Sequence, residues 1–214
     1  MNLAKYGVNV GSDGFSIEEL LNREKLLEIV QLYANYLDTP SMAIGASLFI
    51  KRYAVITTAA ALDYFGFQNG QSDWLRHAKF DRNSFTLTIS EEVENIEYEW
   101  QKKLFYEHML PIIQILSKEC KISSRILWEN VAVRMNTVLK MAEGHYPQEI
   151  IRLQYDKLCE SHPAWLNGQK NPLVAYINIP NDEKQRKTCC RYYQLTKKEE
   201  GLPYCLVCPL KKDS

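Results

Sequence analysis

The sequence predicts an α+β fold, predominantly helical, with a small antiparallel sheet and a cysteine-rich C-terminal tail. Three observations carry this expectation. Apolar residues recur at helical spacing, as in Leu20, Leu21, Leu27, Val30 and Tyr33. One stretch changes period: Phe85, Leu87 and Ile89 alternate with Thr86 and Thr88, the repeat of a half-buried strand. Four of the six cysteines then fall within the last 26 residues.

Taken in order, the first helix is marked by a capping box. Ser16 stands three residues before Glu19, with Phe15 and Leu20 placed as the hydrophobic staple. Pro40 lies just past its end. A second, alanine-rich helix is expected from 42 to about 64, closing near Gly66. Residues 74–89 read as a hairpin, with Asp81, Asn83 and Ser84 supplying the turn. The acidic stretch 91–99 reads as a solvated helix face rather than a metal site. Two further helices fit 98–118 and 123–142, and Pro111 should kink or split the first. A helix fits 148–160, and 173–177 reads as a short strand leading toward the tail. We expect a mainly helical body over 1–180 and a metal-binding segment over 181–214.

Composition bounds the class. The chain has 214 residues, 46% of them hydrophobic and 24% charged, as expected of a soluble globular domain. Its longest uncharged apolar stretch, 53–62, is far short of the ~20 residues of a membrane span. Residues 1–11 lack the basic start and apolar core of a signal peptide, so a cytoplasmic chain is expected.

The tail carries the chemistry. Cys189 and Cys190 are adjacent, and Cys205 and Cys208 form a C-x2-C arm fourteen residues later. Four thiolates suit an iron–sulfur cluster or zinc. Adjacent cysteines point apart in extended backbone, which hinders a shared grip on one small ion and is relaxed by a two-iron body. Both metals stay open on spacing alone. A disulfide framework fits poorly in a cytosolic chain. Cys120 and Cys159 sit in helical patterns and read as packing residues.

The run Arg186-Lys187-Thr188-Cys189-Cys190-Arg191-Tyr192, followed by Cys205-Leu206-Val207-Cys208-Pro209, resembles the C-terminal signature of FhuF-type ferric siderophore reductases. Segments 47–53 and 125–130 are similar to helical stretches of that family. The resemblance implies a 2Fe–2S cluster held by Cys189, Cys190, Cys205 and Cys208. It also implies reduction of a siderophore-bound ferric ion in the cytoplasm, with a hydroxamate-type siderophore as the expected substrate. The family's loop between the cysteine pairs is nearer ten residues; here it is fourteen, and the excess falls in the polar turn 196–201.

Charge agrees with an anionic centre. Residues 186–214 hold seven basic and three acidic side chains, a net +4, which leaves −4 on the remainder of the neutral chain. Arg186, Lys187 and Arg191 flank the cysteine pair and are the candidate substrate-binding cations, and nearby cations favour thiolate forms. The patch is short and the pI near neutral, which argues against nucleic acid. Tyr192, Tyr193 and Tyr204 could shield a cluster or serve as local core.

Other constellations are absent. The four histidines show no H-E-x-x-H spacing, and no dinucleotide fingerprint or P-loop occurs. With no nucleotide or flavin site, electrons are expected from a separate donor such as a ferredoxin, flavodoxin or reductase. The alternative is a non-catalytic siderophore- or protein-binding module with a structural four-cysteine zinc site. A siderophore synthetase of the aerobactin type would need an ATP site, and none is recognisable.

Overall fold

The computed structural model describes residues 2–90, 99–160, 170–178, 185–196, 198 and 202–211. The acidic run 91–98 and most of the turn 196–201 lie outside the described residues.

The expected hairpin forms from β3 (Lys79–Asp81) and β4 (Thr86–Ile89), paired antiparallel. Its turn is closed by Asp81, whose carboxylate accepts the Asn83 N–H at 2.8 Å and the Ser84 hydroxyl at 2.6 Å. Two N-terminal strands extend the hairpin. β1 (Val8–Val10) runs parallel to β4, with Val8 opposite Leu87, and β2 (Phe15–Ser16) runs antiparallel to β3. The order β1-β4-β3-β2 makes the sheet mixed rather than wholly antiparallel. Phe80, Leu87 and Ile89 turn into the core.

The sheet also explains why the first helix starts later than its capping box. Ser16 is held extended by its partner Lys79. Its hydroxyl accepts only the Glu18 N–H, at 3.2 Å, and caps a short 3-10 turn, Ile17–Leu21. The true cap of α1 (Arg23–Tyr36) is Asn22, whose side chain accepts the N–H groups of Glu24 and Lys25 at 3.0 Å each.

α2 (Met42–Ala54), capped by Ser41, continues through wide π-helical turns at Val55–Ala59 and Leu62–Phe67, matching the expected long helix. Thr57 and Thr58 donate their hydroxyls to the carbonyls of Tyr53 and Ala54 at 2.6 Å each, so these polar side chains are satisfied within the helix. Apolar on almost every face, α2 is the central helix, packed against α1 and α4. Gly45 permits the α1 approach: a Cβ there would come within 2.6 Å of the Ala34 Cβ.

The next helical pattern is not split at Pro111. A π-helical stretch, Lys102–Met109, runs directly into α3 (Leu110–Glu119), with the proline in α3's first turn. Wider turns before the proline change the hydrogen-bond register where its ring and missing N–H would disrupt an α-helix. α4 (Ser124–Ala142) and α5 (Gln148–Cys159) follow as expected. The expected strand at 173–177 is instead a 3-10 turn, Pro172–Ala175. Asn171 starts it by accepting the Leu173 N–H at 2.9 Å, and Pro172 has no N–H for a ladder. Among the described residues no helix is long and apolar enough to cross a membrane.

Candidate metal centre

Three of the buried polar side chains in the helical core serve the tail. Ser47 on α2 and Asn130 on α4 are fully buried, and Glu129 is nearly so. Asn130 donates from Nδ2 to the Ser47 carbonyl at 2.8 Å and to its Oγ at 3.1 Å. Ser47 in turn donates its hydroxyl to the Cys190 carbonyl at 2.9 Å. Glu129 accepts the backbone N–H groups of Lys187 at 2.6 Å and Thr188 at 2.8 Å, together with the Thr188 hydroxyl. The segment 186–190 has no regular structure, so its buried backbone groups must find partners on side chains.

On this bed the structure brings the four sequence-predicted thiols together. Cys190, Cys205 and Cys208 are buried in one cluster, and half-buried Cys189 packs against it with Tyr192 and Tyr204. The sulfurs of Cys190 and Cys205 are 3.5 Å apart, one from each arm. Burial raises the Cys189 pKa, with a smaller push from Cys208 on the other arm. The C-x2-C arm is a tight turn, with the Cys208 N–H donating to the Cys205 carbonyl at 3.0 Å. Arg191 adopts a left-handed φ of 64°, and its N–H donates to the Cys189 sulfur at 3.3 Å. Among the described residues no three His, Cys, Asp or Glu side chains are arranged as a ready-made site for a single ion.

The surroundings are cationic. Arg186, 5% exposed, donates from Nη2 to Asn130 Oδ1 at 2.8 Å, and its Nε lies 3.6 Å from Glu129. Lys51 of α2 and Arg134 of α4 are half-buried. Burial pulls both below their ordinary pKa values, while the Cys190 and Cys205 sulfurs oppose the shift. Lys51 Nζ also lies 5.3 Å from the Tyr192 ring centre. Cys190 is pushed down to about 5 by its hydrogen bond with Cys205, helped by the Lys51 charge, the Tyr192 N–H and the Arg186 charge. The same shared hydrogen bond, with burial, pushes Cys205 up.

A tetrathiolate centre fits these residues. Nε of Arg134 and Nη1 of Arg186 are buried without a hydrogen-bond partner, an expensive state for a guanidinium unless an anion lies nearby, and Glu129 meets only the Nε side of Arg186. Lys51, Arg134 and Arg186 against Glu129 leave two positive charges. Four thiolates around an oxidised 2Fe–2S core carry two negative ones, and a zinc tetrathiolate carries the same charge.

The three cations nominated from sequence occupy different places. Arg186 is buried against Glu129 and Asn130. Lys187 is exposed, with Nζ donating to the Ala175 carbonyl at 2.7 Å and lying 5.8 Å from the Tyr176 ring centre. Arg191 is half-buried and serves Cys189 through its backbone. Sequence reasoning missed Lys51 and Arg134. The available signal was charge within otherwise apolar helical stretches, since Lys51 interrupts an almost wholly buried run on α2. Tyr192 and Tyr204 border the thiols, and Tyr193 lies behind them, 6.0 Å from Tyr204 ring centre to ring centre.

Cys120 and Cys159 stand apart from this group. Cys120 is core, its thiol pushed up to about 11 by burial, and Cys159 packs on the core edge. His108 is buried with Nε2 2.6 Å from the Tyr53 hydroxyl, His77 lies 3.4 Å from Asp73, and His145 is exposed. His162 lies outside the described residues.

A family model described as a ferric iron reductase FhuF-like transporter matches residues 59–184, more than half of the chain. The matched span ends before the first cysteine of the pair. Among curated proteins none matches the chain.

Proposed function

The chain belongs to the FhuF-like ferric iron reductase family, and from that premise we propose that it is a cytoplasmic 2Fe–2S ferric siderophore reductase. The observation that carries this reading is the cluster of four thiols beside Lys51, Arg134 and Arg186, the two arginines keeping buried guanidinium nitrogens without hydrogen-bond partners. Cys190 with Cys205, and Cys189 with Cys208, would be the two ligand pairs. When bound, a 2Fe–2S cluster supplies single electrons.

The protein's own residues then have distinct tasks. Ser47, Glu129 and Asn130 hold segment 186–190 in register, which keeps the adjacent cysteines turned toward the C-x2-C arm. Lys51, Arg134 and Arg186 offset the thiolate charge and favour the more negative, reduced state. Leu206, 81% exposed, puts the arm between Cys205 and Cys208 at the surface, where a donor protein and a chelate can approach. Lys187 and Arg191 remain candidates for guiding an anionic partner.

The substrate chemistry is a one-electron reduction. Ferric iron in a siderophore is held by hard oxygen donors, and ferrous iron, softer and less charged, is held far more weakly by the same cage. Adding one electron releases the metal without breaking a bond of the organic ligand. A hydroxamate-type siderophore has this chemistry, and the electron comes from an external carrier protein.

Anaerobic protein, reduced and freed of excess reductant, should be reoxidised by a ferric hydroxamate chelate. A ferrous trap should then report no more than one iron per reduced centre. A colourless protein that holds zinc in all four thiols would overturn the proposal.

A further inference from the structure

Beside the cysteine segment lies an open cavity of about 750 Å³, lined by α3, the start of α4, the end of α5 and the Pro172–Ala175 turn. Its volume is in the range of small-molecule sites, roughly 300–1,000 Å³. Ile113, Trp128 and Tyr176 give it apolar and aromatic walls, while among the described residues its charged lining side chains are Arg125 and Lys170, with no carboxylate. We propose that this cavity binds the ferric chelate and selects an anionic one.

Two connections join the cavity to the thiols. Lys187 is tied to one wall, since its Nζ donates to the carbonyl of Ala175 and lies 5.8 Å from the ring centre of Tyr176, both lining residues. Cys189 follows two residues later, and an extended chain advances at most about 3.6 Å per residue, so the two backbones lie within roughly 7 Å. On α4, Trp128 lines the cavity and its neighbour Glu129 accepts the N–H groups of Lys187 and Thr188. One turn of α4 therefore forms the cavity wall and anchors the cysteine segment.

Charge sets the preference. Arg125, Lys170 and Lys187 give the cavity and its rim three cations. A ferric tris-catecholate is strongly anionic, a hydroxamate chelate with free carboxylates is anionic, and a simple ferric tris-hydroxamate is neutral. The shared chemistry recognised is negative charge around a ferric oxygen cage, and the attraction should weaken with salt.

The inference rests on reading the chain as a ferric-chelate reductase, and the test separates the two. Equilibrium dialysis measures binding of radiolabelled ferric tris-catecholate, a carboxylate-bearing ferric hydroxamate and a neutral ferric tris-hydroxamate to the intact protein at low salt. The same is done for Arg125→Glu/Lys170→Glu and for Val174→Trp, whose side chain lines the cavity and is 50% exposed. Thermal melts and the visible spectrum report the fold and the tail. The parent should bind the two anionic chelates about tenfold or more tightly than the neutral one. Charge reversal should abolish that preference, and Val174→Trp should weaken all three by about tenfold. Unchanged affinities in both folded variants, with the reduced parent still reoxidised by ferric chelates, would overturn the cavity assignment and leave the reductase reading intact. A parent that neither binds nor is reoxidised by any of the three chelates would overturn both.

Discussion

Ser47, fully buried on α2, donates its hydroxyl to the carbonyl of Cys190 over 2.9 Å, across 143 residues of chain. Where Thr57 and Thr58 turn their hydroxyls back onto their own helix, Ser47 sends its hydroxyl out to the tail. Its neighbour Asn130 holds it from the other side and reaches Arg186 as well. The helical core is thus built around polar groups whose partners lie in the tail.

Removing that hydroxyl should loosen the tail more than the body. Ser47→Ala leaves the Cys190 carbonyl without its donor, at a cost of about 1–3 kcal/mol for an unsatisfied buried group. We expect a modest fall in the urea midpoint and a larger fall in bound iron and sulfide per chain. Full metal content in a variant with parental stability would show that the contact does not hold the cysteine pair in place.

The sulfur pairing makes a sharper prediction. Serine at Cys189, Cys190, Cys205 or Cys208 should weaken or abolish the centre, since an alkoxide is a harder and more basic ligand. Where a centre survives, Cys190→Ser and Cys205→Ser should share one altered spectrum, following their 3.5 Å contact, and Cys189→Ser and Cys208→Ser another, following the proposed ligand pairs. Cys120→Ser and Cys159→Ser should keep the parental spectrum. Spectra grouped by arm, with 189 like 190, would contradict the pairing.

The cations should be readable in the midpoint potential. Lys51→Gln or Arg134→Gln removes a positive charge facing the Cys190 and Cys205 sulfurs. Each should lower the potential, by on the order of 60 mV, which is a tenfold change in equilibrium constant for a one-electron couple. Lys187→Gln, whose ammonium is tied to Ala175, should shift it less. Protein-film voltammetry at two ionic strengths measures all three, and equal shifts would remove the special place given to Lys51 and Arg134.

A pH effect belongs to the core instead. Burial holds His108 at a pKa of about 4, below its ordinary value of 6.5. The unfolded chain therefore takes up this proton first as pH falls. The stability tied to neutral His108 is fully present above about 6.5, declines between 6.5 and about 4, and is level below that, a total on the order of 3 kcal/mol. His108→Gln, which can still bond the Tyr53 hydroxyl but does not titrate, should flatten this part of the curve in urea titrations. Parallel curves for the two proteins would show that His108 does not set it.

Much of the fold was legible because it is local. α2 and its continuation, the hairpin of β3 and β4, α4 and α5 are written in periodicity, turn residues and caps a few positions apart. The misses share one cause. β1 and β2 are two or three residues long and exist only through partners some seventy residues away. That pairing takes Ser16 out of α1 and leaves the cap to Asn22. At 173–177 a β-branched, apolar run suggested a strand, but Asn171 and Pro172 supplied a helical start that outweighed it.

The sequence by itself determined which chemistry the tail can offer. Softness and charge belong to the side chains, so four cysteines offer soft, anionic ligands whatever surrounds them. Tertiary structure decided which thiol meets which, and which charges they feel. Lys51, Glu129, Asn130 and Arg134 come from two helices roughly eighty residues apart, and nothing local marks them as neighbours of Cys190. Only the packing of α2 against α4 brings them there, because electrostatic and hydrogen-bond energies depend on distance in space.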